Sequence, residues 1–255
     1  MHITLVQPDM VWTDAGKNRE MYSRMLQDMT LRADLIIFPE MFTTGFCTDP
    51  APVAETMDGE TLRWMRDTAV TLKTSLTGSL IRVENGLYYN RLIYMDPQGN
   101  SGQYDKRHLF RMAGEEVSFK PGSKPYIAGL GKWRISFQIC YDLRFPVWSR
   151  NRNNFDLLVY ASNWPAARSD VWNTLLRARA IENQCYVAGV NRVGTDGKGI
   201  SYIGESMVID PKGNVVASRE RSAEGLVHAT ISLDELNAFR SKFPVWKDWD
   251  QWDLV

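Results

Sequence analysis

"FDLLVYASNWPAARSDVWNTLLRARAIENQCYVAGVNRV" (155–193) sets the pattern of the chain. Its first nine residues and its last nine are short apolar runs rich in β-branched or aromatic side chains, the mark of strands. Between them, 169–184 places Val171, Trp172, Leu175, Leu176 and Ala178 on one helical stripe, behind a Ser169 or Asp170 cap. Working outward, strand-length runs recur at 3–7, 33–40, 75–83, 87–96, 133–140, 205–218 and 225–232. Tyr22, Met25, Leu26 and Met29 predict a helix over 18–31, Gly59 to Leu72 a second, and 232–240 a short one behind Ser232. "DPQGN" (96–100) and "DPKGN" (210–214) are near copies, each a turn between two strand patterns. Two β-rich halves with interspersed helices predict two sheets packed face to face with helices outside: one α/β domain over 1–255.

The bulk numbers narrow the class. At 255 residues the chain can bury a substantial core without staples. Apolar residues make up 44% and charged residues 24%, near the globular average. Thirty basic residues balance thirty acidic ones, and with no basic run the charge argues against nucleic acid as a partner. No run approaches the length of a membrane span, and "MHITLVQPDM" (1–10) starts as a strand without the features of a secretion signal. Three cysteines, Cys47, Cys140 and Cys185, form no C-x-x-C pair, which leads us to expect a reduced, cytoplasmic protein without disulfides. No two of His2, His108 and His228 lie at metal-ligand spacing, so no metal is expected.

In "WRISFQICYDLRFP" (133–146), Trp133, Ile135, Phe137 and Ile139 alternate with Arg134, Ser136, Gln138 and Cys140, as in a half-buried strand. Cys140 ends the polar parity just where the chain turns. Such a thiol is ordinarily a small buried hydrophobe. At a strand's end it could also be a metal ligand, a redox sensor or a nucleophile held on an elbow. A nucleophile needs a base or cation, since little of a free thiol is thiolate at neutral pH. His228 sits in a strand pattern with nothing to mark it as a base. Glu40 closes "DLIIFPE" at a core edge, where desolvation raises a carboxylate toward useful basicity; it could equally be an ordinary strand exit. Lys106 in "YDKRHLF" would, if it pointed inward, supply a fixed positive charge for a thiolate or oxyanion.

Taken in order and spacing, "LIIFPEMFTTGF", "YDKRHLF" and "ICYDLRFP" resemble the nitrilase superfamily, the carbon–nitrogen hydrolases. The likeness runs on through "ASNWP" (161–165), "RARAIENQCYVAGVNRVG" (177–194) and "GESMVIDPKGNVV" (204–216). "EMFTTGF" and "RHLFRMAGEE" look like the omega-amidase branch, which acts on the ω-amides of 2-oxo acids such as 2-oxoglutaramate. The resemblance implies a four-layer αββα sandwich, no cofactor, and a small amide and water as reactants. It also implies a homodimer that extends the sheets; the segment 243–255, with Trp246, Trp249 and Trp252 three apart, fits a C-terminal arm that packs on a partner or equally folds back on its own subunit. It puts the family's Glu, Lys and Cys on Glu40, Lys106 and Cys140. A second glutamate falls on Glu115, seven residues before Gly122, with Glu116 beside it. The backbone N–H of Tyr141 becomes an oxyanion donor. Many relatives carry Asp after the His-Leu-Phe triplet; this chain has Arg111, an open substrate contact.

Phe42, Phe46 and Trp164 are expected as pocket walls. Asp142 and Arg144 brace the elbow or meet a substrate carboxylate, with bracing favoured. Arg179 and Glu182, three apart on a helix, read as an inward ion pair of structural purpose. Cys185 reads as core and Cys47 as a loop residue. Carbamoyl-amine, deaminated-glutathione and nitrile hydrolysis are rival activities, and a non-catalytic binding or redox-sensing module is the remote one. The acyl-transferase relatives need membrane helices, which this chain lacks.

Overall fold

The computed structural model describes residues 1–250, so Trp252 and the end of the expected arm lie outside the described residues. The first part of the chain runs β1 (His2–Gln7), α1 (Ala15–Gln27), β2 (Leu35–Ile37), α2 (Glu60–Leu72), β3 (Ser75–Glu84), β4 (Leu87–Met95) and β5 (Ser101–Asp105). A one-turn helix, α3 (Glu115–Ser118), leads to β6 (Ile127–Leu130), β7 (Trp133–Ile139), β8 (Leu157–Ala161), α4 (Ser169–Asn183) and β9 (Tyr186–Val190). A small ribbon, β10 (Val193–Thr195) with β11 (Ser201–Ile203), precedes β12 (Met207–Ile209), β13 (Val215–Ser218), β14 (Gly225–Thr230) and α5 (Leu233–Lys242). Two six-stranded sheets result, ordered β14-β1-β2-β3-β4-β5 and β13-β12-β9-β8-β7-β6.

Strand parity explains the layers. Leu35 and Ile37 of β2 join Ile135, Phe137, Leu157 and Val159 in a core between the sheets, whereas Ile36 turns outward to Tyr22, Leu62 and Met65 of α1 and α2. In the other sheet Leu158 and Tyr160 turn outward to Trp172 and Leu176 of α4. Helices, sheet, sheet, helix: this is the four-layer αββα sandwich. No helix among the described residues is long and apolar enough to cross a membrane.

Several expectations shift. Helix α1 starts earlier, at Ala15, because Asp14 caps it through Lys17 N at 3.0 Å. Helix α4 has no side-chain cap; Ser169 instead donates to Glu205 Oε2 at 2.6 Å. Ser232 does cap α5, accepting from Glu235 N. Past the exposed Arg134, strand β7 is buried on both faces rather than half-buried, because the 145–149 segment covers its polar side: Ser149 Oγ donates to Gln138 Oε1 at 2.8 Å. The copied turns are built alike, with Asp96 and Asp210 each accepting from the backbone two and four residues on.

Strand direction positions the site. Strand β1 is parallel to β2 and β2 to β3, and two antiparallel steps bring β5 back to that direction. In the second sheet β7, β8 and β9 are parallel. The C-terminal ends of β2, β5, β7 and β8 deliver Glu40, Lys106, Cys140 and Asn163, the usual location for chemistry in α/β sheets.

Candidate active site

Burial forces the three charged groups into one network. Lys106 Nζ lies 2.8 Å from Glu40 Oε1 and 2.8 Å from Glu115 Oε2, and all three side chains are sealed from solvent. Asn90 Nδ2 bridges the two carboxylates, donating to Glu40 Oε1 at 2.8 Å and Glu115 Oε1 at 3.0 Å. Phe110 N donates to Glu115 Oε2 at 2.6 Å. Glu116, by contrast, sits outside the network, 4.0 Å from Arg111. Gly122 closes the loop after α3: its N–H donates to Lys106 O, and a Cβ there would lie 2.1 Å from Asp105 O.

Burial alone would lower the Lys106 pKa, but Glu115 and Glu40 outweigh it and hold the amine above its ordinary value, charged. Burial pushes the Glu115 carboxyl up, Lys106 pulls it down and Glu40 pushes it up again, with a net rise. Two carboxylates thus share one ammonium.

Cys140 has φ +43, a left-handed conformation that a non-glycine residue adopts only when its surroundings impose it. Asp142 imposes it. Its carboxylate accepts from Ile139 N at 3.1 Å, Tyr104 Oη at 2.7 Å and His108 N at 2.9 Å, and pairs with His108 Nδ1 at 2.7 Å. Behind the turn, Arg179 donates to Leu143 O at 2.6 Å and pairs with Glu182 at 3.0 Å, the inward pair expected. The Cys140 thiol opens into a cavity of about 440 Å³. Burial pushes its pKa well above that of an ordinary cysteine and the Glu40 charge adds to this, against the opposing pull of Lys106. At rest the group is therefore a thiol.

Of the expected wall residues, Phe46 and Trp164 line the cavity, as do Tyr141 and Arg144. Phe42 does not. Its ring is fully buried, stacked on Phe38 at 4.9 Å, because Gly78 has no side chain: a Cβ there would lie 2.8 Å from both rings' residues. Arg111 is also displaced, with its side chain 82% exposed, while its neighbours Met112 and Ala113 face the cavity. Cys185 is core, and Cys47 is buried with its sulfur 3.2 Å from Asp49 O.

Asn90 and Asn163 escaped the residue-level reading of the sequence. Asn163 N donates to Glu40 Oε2 at 3.0 Å and Asn163 Nδ2 to Glu40 O at 2.6 Å, while its carbonyl faces Cys140 Sγ at 3.7 Å. The only signal for Asn90 was a lone amide in the apolar run 87–96. Among the described residues no cluster of three or more His, Cys, Asp or Glu could hold a metal ion. The site as built can deprotonate a thiol, place positive charge beside it and admit a small molecule.

The carbon–nitrogen hydrolase family model matches residues 2–241. The chain is 44% identical to the omega-amidase YafV of Escherichia coli over 255 residues, covering all of this chain and 98% of that protein. It is 32% identical to the 2-oxoglutaramate amidase of Bacillus subtilis, with 96% of each covered. Among solved structures, a carbon–nitrogen hydrolase superfamily protein from Xanthomonas campestris, with an arsenic adduct in its active site, superposes with a TM-score of 0.97. That protein is 42% identical over 100% of this chain and 99% of its own.

Proposed function

The chain belongs to the carbon–nitrogen hydrolase family, and on that premise we propose that it hydrolyses the ω-amide of a small 2-oxo acid through a cysteine thioester, releasing ammonia. The full-length similarity to an omega-amidase and a 2-oxoglutaramate amidase supports the substrate class. One observation carries the chemistry: the Cys140 thiol opens into a cavity that Glu40 and Lys106 also line.

In this reading Glu40 takes the Cys140 proton as the sulfur attacks the amide carbon. Negative charge grows on the carbonyl oxygen, where Lys106 and the Tyr141 N–H meet it; a preorganised donor of this kind contributes about 3–4 kcal/mol. Glu40 passes the proton to the departing nitrogen, the C–N bond breaks and ammonia leaves. Water, deprotonated by Glu40, adds to the thioester, and the acid departs as the thiol regains its proton. Glu115 positions Lys106, and Phe46 and Trp164 wall the substrate.

Cys140→Ala should abolish ammonia release without unfolding the protein, and mass spectrometry of the wild type should find an acyl adduct on Cys140. A panel of ω-amides, N-carbamoyl amines and nitriles separates this activity from its rivals. Full activity of Cys140→Ala ends the assignment.

The whole chain, 1–255, is proposed as one catalytic domain working as a homodimer in a reducing cytoplasm. Exposed Phe243 and Trp246, in the expected arm over 243–255, and three free cysteines support that reading. Light scattering across a dilution series tests the dimer.

A further inference from the structure

The cavity is lined by four cations, Lys106, Arg144, Arg168 and Lys198, against two carboxylates, Glu40 and Asp196. Lys106 is committed to the buried network. Asp196 is already satisfied, accepting from Lys198 N at 2.8 Å, Ile200 N at 3.0 Å and Tyr202 Oη at 2.9 Å. Lys198 is tied to Thr48 Oγ1 at 2.8 Å.

Arg144 and Arg168 differ from these. Neither makes an ion pair with a carboxylate among the described residues; each instead lies over an aromatic ring of the cavity wall. Arg144 is 5.3 Å from the Trp164 ring centre and Arg168 is 5.2 Å from that of Phe110. The Arg168 backbone is anchored to the same wall, since Trp164 Nε1 donates to Arg168 O at 2.7 Å. A guanidinium resting on a ring face is held in place while its planar N–H fork stays open, and that fork matches a carboxylate. The cavity therefore carries surplus positive charge with uncommitted donors, and apolar surface between them and the thiol.

We propose that Arg144 and Arg168 form the receptor for the carboxylate at the far end of the substrate, and so select short amide acids over neutral amides. This rests on the amidase reading above and assigns its specificity: the amide carbon reaches Cys140, the methylenes lie against Phe46 and Trp164, and the carboxylate meets the two guanidinia. Arg168 is the cleaner probe, because Arg144 shares the Cys140 turn.

The test compares two amides of equal chain length, 5-amino-5-oxopentanoate and pentanamide, which differ in a carboxylate replaced by a methyl group. Arg168→Gln should lower kcat/KM for the acid by about 10- to 100-fold, mostly through KM, the usual loss for a charged hydrogen-bonded pair. Its kcat/KM for pentanamide should fall by much less than that for the acid, and a thermal melt shows that the variant folds. Equal kcat/KM of the wild type for both amides, or an equal loss on both in Arg168→Gln, overturns the receptor and leaves the amidase standing. Calorimetry on Cys140→Ala separates the two ideas from the other side. Binding of 5-amino-5-oxopentanoate that weakens when Arg168→Gln is added, without ammonia release by the wild type on any amide, keeps the receptor and removes the amidase. Neither binding nor turnover removes both.

Discussion

Glu40 Oε1 and Lys106 Nζ are 2.8 Å apart although 66 residues separate them in the chain, and neither side chain is exposed. A buried ion pair is costly to form and more costly to break, because the surviving charge has no solvent to receive it. The pair persists because Glu115 and Asn90 complete its hydrogen bonds. The site is therefore held by interactions that also sustain the fold.

Lys106→Met should remove activity and destabilise the protein by about 3–5 kcal/mol, the usual loss on breaking a buried pair. Its pH dependence has a defined sign. Glu115 is already held above its ordinary pKa by burial and Glu40 against the pull of Lys106, and loses that pull in the variant. A carboxyl with a raised folded pKa contributes its stability below its unfolded pKa and loses it as pH rises through the folded value. The Tm deficit should thus be smallest in acid and grow toward neutral pH, as thermal melts across that range would show. A deficit independent of pH would refute this account.

Glu40→Gln should cut ammonia release by about 10²–10⁴-fold, the range of a positioned base. It also removes a charge that, after burial, raises the Cys140 pKa. The pH midpoint for alkylation of Cys140 should consequently fall in the variant while turnover collapses. Iodoacetamide labelling rates against pH would check it, and a midpoint that rises or stays fixed contradicts the electrostatics.

Asp142→Asn leaves the Ile139 N–H, the Tyr104 hydroxyl and the His108 ring with a partner that has one acceptor oxygen instead of two. Burying unmatched donors costs about 1–3 kcal/mol each. We expect a lowered Tm and a fall in kcat, since the left-handed turn at Cys140 loses its support. Steady-state kinetics beside a melt would decide; unchanged kcat in a destabilised variant would confine Asp142 to stability.

Phe42→Ala and Phe46→Ala should part company. The first empties a sealed core site and should cost about 3–5 kcal/mol. The second removes a cavity wall and should raise KM with a smaller change in Tm. Arg111→Ala, at an exposed side chain, should leave both unchanged. Paired melts and Michaelis curves on the three variants test the division.

Periodicity and turn chemistry in the chain were enough to draw most of the elements, because each reports a local preference. Helix α2 starts one residue after its expected glycine, and both copied turns join the strands on either side of them. Strands β5 and β6, the one-turn α3 and the ribbon β10–β11 carry no such signal, since segments of three to five residues show too little periodicity. Cys140 was conspicuous because a polar parity ended at a turn, and Glu40 because a carboxylate followed an apolar run.

What the sequence determined by itself, then, was the alternation of strands and helices and the ordered motifs that marked Glu40, Lys106 and Cys140. Which groups face one another was decided only in three dimensions. Phe42 and Phe46 are four residues apart, yet one lies in the helix-side core and the other in the cavity, because Met41 takes φ +43 and the glycine at 78 makes room for Phe42. Asn163 meets Glu40 across 123 residues, and Arg168 comes to the Phe110 ring only when β8 and β5 end at the same edge of the sandwich. Local pattern encodes how a segment buries itself; long-range juxtaposition depends on strand order and on the packing of one sheet against the other, which no single segment carries.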